Sequence, residues 1–212
     1  MYGLSPADLD LQARARAFTD ELIGTELAAE EHDGALPDGV VAAQHRRAIE
    51  LGVNLIGVHK GVPLGPQPIE HTQTWDMDGA AANFPDLNFV IFHVGLPFLD
   101  EVCWQLIRHP NLYASLAATI NFVVRAPRMF AETLGKLLFW CGEDKIVYGS
   151  EAPIWHPQWA LQAFWDFEIP QDLIDGYGYP PLTEQGKRKI LGENLLRLHG
   201  MDVEETKRRL GK

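Results

Sequence analysis

Two apolar runs in this chain end in histidine, NLIGVH at 54–59 and NFVIFH at 88–93, and each histidine is followed two residues later by glycine (Gly61, Gly95). A third run, KIVYGSE at 145–151, ends in a carboxylate instead. Apolar runs without polar alternation read as strands buried on both faces, which are the strands of a parallel sheet covered by helices. In such a fold the polar residue at the C-terminal end of a strand is where the chemistry sits. His59, His93 and Glu151 are therefore the candidate metal-binding and proton-transferring groups. A lone histidine there would be read as one satisfied by a backbone carbonyl; three strand ends in four units carrying such groups favour a shared site.

The segments between these runs are helical in pattern. Helices are expected from about Pro68 to Phe84, Leu99 to Arg108 and Pro127 to Cys141, and a further strand from Asn111 to Ala117. Strands at about 54–59, 88–93, 112–117 and 145–149, separated by helices, imply consecutive βα units and a parallel sheet. Four such units make half of an eight-stranded barrel, or a small open sheet; periodicity does not separate the two.

The first fifty residues differ in character, with ten acidic against four basic side chains. Ser5 and Pro6 read as an N-cap and first helical position. Leu9, Ala13, Ala17, Leu22 and Leu27 then recur as a helical stripe, ended by Gly34 and Pro37, and a second helix is expected from Asp38 to about Glu50. No cluster in this part could do chemistry. The expected division is a helical segment at 1–45 and a βα body at 46–212. A formal net charge of −11 speaks against nucleic acid and against an anionic membrane surface. Cys103 and Cys141 lie in apolar contexts, and with no signal peptide or long apolar run the expected location is the cytoplasm.

Other candidates are weaker. Arg125 and Arg128 follow the third strand, where a guanidinium could grip a carboxylate. Lys60 points away from whatever His59 faces. Trp75, with His71 and Asp76, and Trp155 could line the mouth of a pocket for an apolar or aromatic ligand. His32, His45, His109 and His199 read as surface or cap residues. No P-loop, GxGxxG, GxSxG or CxxC motif occurs.

The segments VHKG, NFVIFHVGLP, HPNLYASLA, KIVYGSEAP and KRKILGENLLRLHGM, in this order from about Arg46 to Lys212, resemble the C-terminal half of the amidohydrolase 2 family, which includes aminocarboxymuconate-semialdehyde decarboxylase and benzoate-type decarboxylases. The resemblance implies an α/β fold that is a partial (β/α)₈ TIM barrel, strands five to eight, after a short helical segment. It implies a divalent metal, most often zinc, with His59 as its fifth-strand ligand and Glu151 where the family has the eighth-strand aspartate. His93 is implied as the catalytic proton-transferring histidine; Arg125, Trp75 and Trp155 are the substrate-binding candidates from their own positions near strand ends. The family's first-strand HxH pair has no counterpart here. Residues 1–45 more weakly resemble the first two helices of acyl-CoA dehydrogenases, without any flavin-contacting position, so no FAD is inferred.

The implied activity is that of a metal-dependent hydrolase or decarboxylase acting on a small carboxylate substrate, impaired or partner-dependent in this chain. The alternatives are a non-catalytic partial barrel bound to a paralogous chain, or an iron or manganese oxygenase component. A half barrel with open sheet edges is expected to be a homo-oligomer or to pair with a full-length paralogue.

Overall fold

The computed structural model describes residues 5–31, 36–63, 65–66 and 68–211; His32 and Gly34 lie outside them. The chain divides into two compact units, Met1–Asn54 and Leu55–Lys212.

The first unit is a helical hairpin of α1 (Pro6–Glu30) and α2 (Asp38–Glu50). Ser5 starts α1 as expected: its hydroxyl accepts from the Asp8 amide, and the Asp8 carboxylate accepts from the Ser5 amide at 2.8 Å. The two reciprocal bonds satisfy amides that have no partner within a first helical turn. Arg47 on α2 grips Glu21 with two nitrogens at 2.9 Å each, Gln44 donates to Glu26, and Arg14 donates to the Leu51 carbonyl. Partner numbers that fall as the others rise make the helices antiparallel. The apolar stripe read from the sequence is not a buried one, since Leu9 and Leu27 are exposed while Phe18, Leu22 and Ala29 are covered.

The second unit is a four-stranded parallel sheet in the order β1-β2-β3-β4, formed by Leu55–Val58, Asn88–Ile91, Leu112–Ser115 and Ile146–Val147. Neighbours in space follow the order of the chain, as in consecutive βα units. Between the strands run α3 (Asp76–Asn83), α4 (Leu99–Arg108), α5 (Phe122–Arg125) and α6 (Pro127–Cys141). After β4 come α7 (Pro157–Asp166), α8 (Gln171–Tyr177) and a continuous run of α9 (Glu184–Arg188), a π-helical turn at Lys189–Glu193 and α10 (Asn194–Leu198), then α11 (Val203–Arg209).

Alternate strand residues face opposite ways. Phe89, Ile91, Leu112, Ala114 and Ile146 join the main core with Leu106, Phe130, Leu134 and Phe164 of the helices. Leu55, Val90, Tyr113 and Val147 face the other way and meet Phe92 and Leu198. This is the pattern of a barrel wall, with helices on one face and an interior on the other.

The helix expected over Pro68–Phe84 is broken. A 3₁₀ turn at Ile69–Thr72 precedes α3, and Gln73 between them is extended (φ −65°, ψ 156°). The break lets Thr74 sink into the core, where its hydroxyl donates to Glu101 at 3.1 Å and its carbonyl accepts from Gln105 at 2.8 Å. The fourth strand is also shorter than read, because its free edge is taken. Val147 uses its carbonyl on β3, so Ile146 and Tyr148 point away from that strand. Their outward groups bond Asn194 and the Ile190 carbonyl, at 2.8 and 2.9 Å, so the C-terminal helix closes this edge. Among the described residues, β1 has a strand only on its β2 side.

Two residues of the motif segments serve as clamps. The buried Asn111 amide donates to the carbonyls of Ala81, Phe84 and Leu87, fixing the end of α3 and the entry to β2. Lys145 donates to the carbonyls of His109, Pro110 and Leu112 beneath β3, and burial pulls its ammonium below the ordinary lysine range. Asn111→Ala is expected to cost about 2–3 kcal/mol by leaving buried carbonyls without donors. A urea midpoint unchanged from the parent would contradict that role.

Candidate functional site

β1 and β2 deliver the two histidines to one place. The chain leaves β2 at Ile91 and turns into left-handed backbone at His93 (φ 59°) and Val94 (φ 47°), so the strand ends two residues before its sequence pattern does. That turn buries His93 and aims its ring across β3. His93 Nδ1–H donates to the Ala117 carbonyl at 3.0 Å, and the Thr119 hydroxyl donates to the His93 carbonyl at 3.2 Å.

His59 comes from the loop after β1. Gly61 sits at φ +72°, and a Cβ there would lie 2.2 Å from the Leu96 carbonyl oxygen. Its amide donates to the Thr72 carbonyl at 2.6 Å, and the Val62 amide to Leu96 at 2.5 Å. The His59 loop is thereby stitched to the turn that carries His93, and only glycine permits the approach. Lys60 does point elsewhere, to Asp76 at 2.7 Å.

The result is a hydrogen-bonded histidine pair, His93 Nε2 to His59 Nδ1 at 3.2 Å, with ring centroids 4.7 Å apart. A carbonyl only accepts, so His93 must carry its proton on Nδ1. In the neutral pair His93 Nε2 is then the acceptor, His59 Nδ1–H donates to it, and His59 Nε2 is left bare. His93 is buried; His59 is exposed.

The inner face of the sheet holds a cavity of about 420 Å³ that is lined by Phe92 and Ala117, the chain neighbour and the hydrogen-bond partner of His93, and by neither histidine itself. Glu151 also lines it, as does Gly57, over which the Phe92 ring lies so closely that a Cβ would meet it at 2.4 Å. Glu151 is not at a strand end: it stands beyond β4 in left-handed backbone (φ 51°), its carbonyl accepting from the amides of Ile154 and Trp155. The structure thus brings His59 and His93 together and places Glu151 in the adjacent cavity. Among the described residues no three His, Cys, Asp or Glu side chains are close enough to share a metal ion. The donors present therefore do not make up the metal centre that the resemblance implies.

The remaining expected residues are dispersed. Trp75 is not at this cavity; it is 66% exposed in a groove between α3 and α4 with Trp104 and Arg108, because the break at Gln73 turns it outward. Arg125 is exposed at the end of α5, and Trp155 is exposed in the loop after Glu151. Arg128 is committed to Glu132 and Asp172. His109, expected as a surface or cap residue, is the C-cap of α4; it is largely covered and bonds Asp78 at 2.7 Å. Phe92, Gly57 and Ala117 carry no signature of a site in the sequence beyond a glycine and an aromatic residue on successive apolar runs; Gly57 pairs in register with Val90, and Phe92 reaches it from beyond the end of β2.

The cysteines take no part in the site. Burial pushes both thiols up to about 12 from an ordinary value of 9.0. Cys103 is buried, and the Cys141 thiol donates to the Leu137 carbonyl. A neutral thiol favoured by the fold stabilises it fully below pH 9, and that contribution fades as pH rises toward 12, where the unfolded chain ionises first. Thermal stability is expected to fall across that window, and both thiols to stay unlabelled by a thiol reagent at pH 8 until the protein is denatured. Rapid labelling of the native protein would contradict the assignment.

Comparison with solved structures agrees with the barrel architecture. An uncharacterized TIM-barrel protein from Bordetella bronchiseptica is similar at 18% identity and a TM-score of 0.53, over 84% of this chain and 71% of that one. A Lactobacillus casei protein described as a metal-dependent hydrolase is similar at 15% identity and 0.57, over 76% of this chain and 43% of that one. The 2,6-dihydroxybenzoate decarboxylase from Rhizobium is similar at 16% identity and 0.50, over 79% and 58%. This chain therefore spans less than two thirds of the length of the latter two. No curated protein matches it. No helix among the described residues is long and apolar enough to cross a membrane. The Amidohydrolase family model matches residues 3–200, which takes in the helical segment as well as the βα body, so the likeness is not confined to the part beyond Arg46. The chain belongs to the amidohydrolase family.

Proposed function

We propose that the chain is an amidohydrolase-type enzyme, a carboxy-lyase or hydrolase for small carboxylates, whose acid–base component is assembled within the chain and whose metal component is not complete among the described residues. The observation that carries this reading is the chain of hydrogen bonds from the Ala117 carbonyl through His93 to His59. Both nitrogens of His93 are engaged, so the group that meets a substrate is His59, through Nε2, and His93 orients it and shares its proton. That reverses the roles implied by the family resemblance.

For an aromatic carboxylate the step balances simply. The pair takes up one proton, held on His59 Nε2; that proton passes to the ring carbon bearing the carboxylate, the C–C bond breaks with its electrons returning to the ring, and CO₂ leaves. Support for this substrate class comes from the apolar wall of the cavity and from the fold similarity to the dihydroxybenzoate decarboxylase. A divalent metal would polarise the substrate or activate water. Its further donors would have to come from outside the described residues, from a second copy or a longer paralogue. The inner sheet face, with the β1 edge beside it, is the surface such a partner would complete.

The test follows release of labelled CO₂ from carboxyl-labelled hydroxybenzoates by the purified chain, with and without added zinc or manganese. Release that is lost in His59→Gln supports the reading. Release unaffected by that change, or none under any metal and oligomeric condition, overturns it. The second case would leave the non-catalytic subunit, the reading favoured by the lack of a three-donor cluster among the described residues.

A further inference from the structure

On the outer side of the βα body, away from the strand ends, α4 and α6 enclose a cavity of about 450 Å³ with the segment that follows α8. Its walls are aromatic: Trp104, Phe139, Trp140, Tyr177 and Tyr179. Trp104 and Trp140 lie 4.8 Å apart, Phe139 meets Trp140 at 90°, and Tyr177 stacks on Tyr179 at 5.3 Å. Trp104 is 55% exposed and Trp140 40%. The main core would bury these rings if packing were their only use.

The polar groups in the cavity are Asp100, Glu132 and Lys136. Lys136 is bound to Asp100 at 2.5 Å, and that carboxylate holds its ammonium above the ordinary lysine range. One carboxylate thus exceeds the cations lining the cavity, within a chain of net charge −11. Glu132 pairs with Arg128, which is not among the lining residues, at 3.1 Å.

We infer that this cavity binds a small organic cation with a methylated ammonium head. Ring faces carry negative charge density and attract a cation placed over them, most strongly for tryptophan. A primary ammonium would need several hydrogen-bond acceptors; ring faces supply none, and the two lining carboxylates are already paired, Asp100 with Lys136 and Glu132 with Arg128. A methylated head has none to satisfy, and its rounded surface fits a corner where two rings meet at a right angle. Lys136 opposes such a ligand and Asp100 masks that opposition, so the cavity is tunable in both directions by single substitutions.

Choline is the probe, and its uncharged isostere 3,3-dimethylbutan-1-ol is the control, titrated at constant ionic strength against tryptophan fluorescence. Choline is expected to saturate, with the isostere about tenfold weaker. Trp140→Ala should abolish binding and Glu132→Gln weaken it about threefold. Lys136→Met should tighten it several-fold, a gain that misfolding does not mimic. Equal binding of the neutral isostere would make the cavity a merely apolar groove and overturn the inference. So would weaker choline binding in Lys136→Met, which would mean that no cation sits against that ammonium, or no saturable binding at all.

Discussion

Replacing His59 with glutamine is expected to lower turnover by about 10²–10⁴-fold without unfolding the protein, because glutamine keeps a hydrogen-bond partner for His93 and loses the ability to carry a proton. His93→Gln is expected to cost nearly as much, although its side chain is buried and does not meet the substrate. The reason is that the two rings act as one unit: without His93, His59 has neither its orientation nor a neighbour to share the proton. Groups that act together are non-additive, so the double variant should be no slower than the worse single one. Losses that multiply would mean two independent roles, and would return His59 to metal ligation alone.

The largest stability effect is expected at Gly61. Alanine there must adopt φ +72° and place its Cβ 2.2 Å from a backbone oxygen that has no room to yield. Left-handed strain and overpacking together should cost about 3 kcal/mol. The cost is also local to the site, since relief requires the His59 loop to separate from the turn at Gly95–Leu96. Gly61→Ala is therefore expected to lower the urea midpoint and to break the histidine pair in the molecules that remain folded. A variant as stable as the parent with the pair intact would show that the loop is not held as described.

Much of this was legible in the sequence. Helices α4 and α6 begin and end where their periodicity and Pro127 put them, since each has a continuous apolar face and nothing competes with it. The parallel sheet followed from four apolar runs spaced by helical segments. The strand ends were less legible, because a pattern of side chains does not reveal the backbone reversal at His93, Val94 and Gly95 or the left-handed turn at Glu151. The break at Gln73 was hidden for a related reason: Thr74 is core by virtue of Glu101 and Gln105, residues far along the chain. The site was half legible. His59 and His93 were found by position, but their mutual hydrogen bond depends on the Ala117 carbonyl, and a backbone acceptor leaves no mark in a sequence.

The histidine pair is what the account stands on, and it is read directly by ¹⁵N NMR of the imidazoles at pH 8.5. His93 is expected to be protonated on Nδ1 with Nε2 accepting and His59 on Nδ1 with a bare Nε2, with a scalar coupling across the hydrogen bond between His59 Nδ1 and His93 Nε2. A His93 protonated on Nε2, or two rings with no coupling between them, would contradict it.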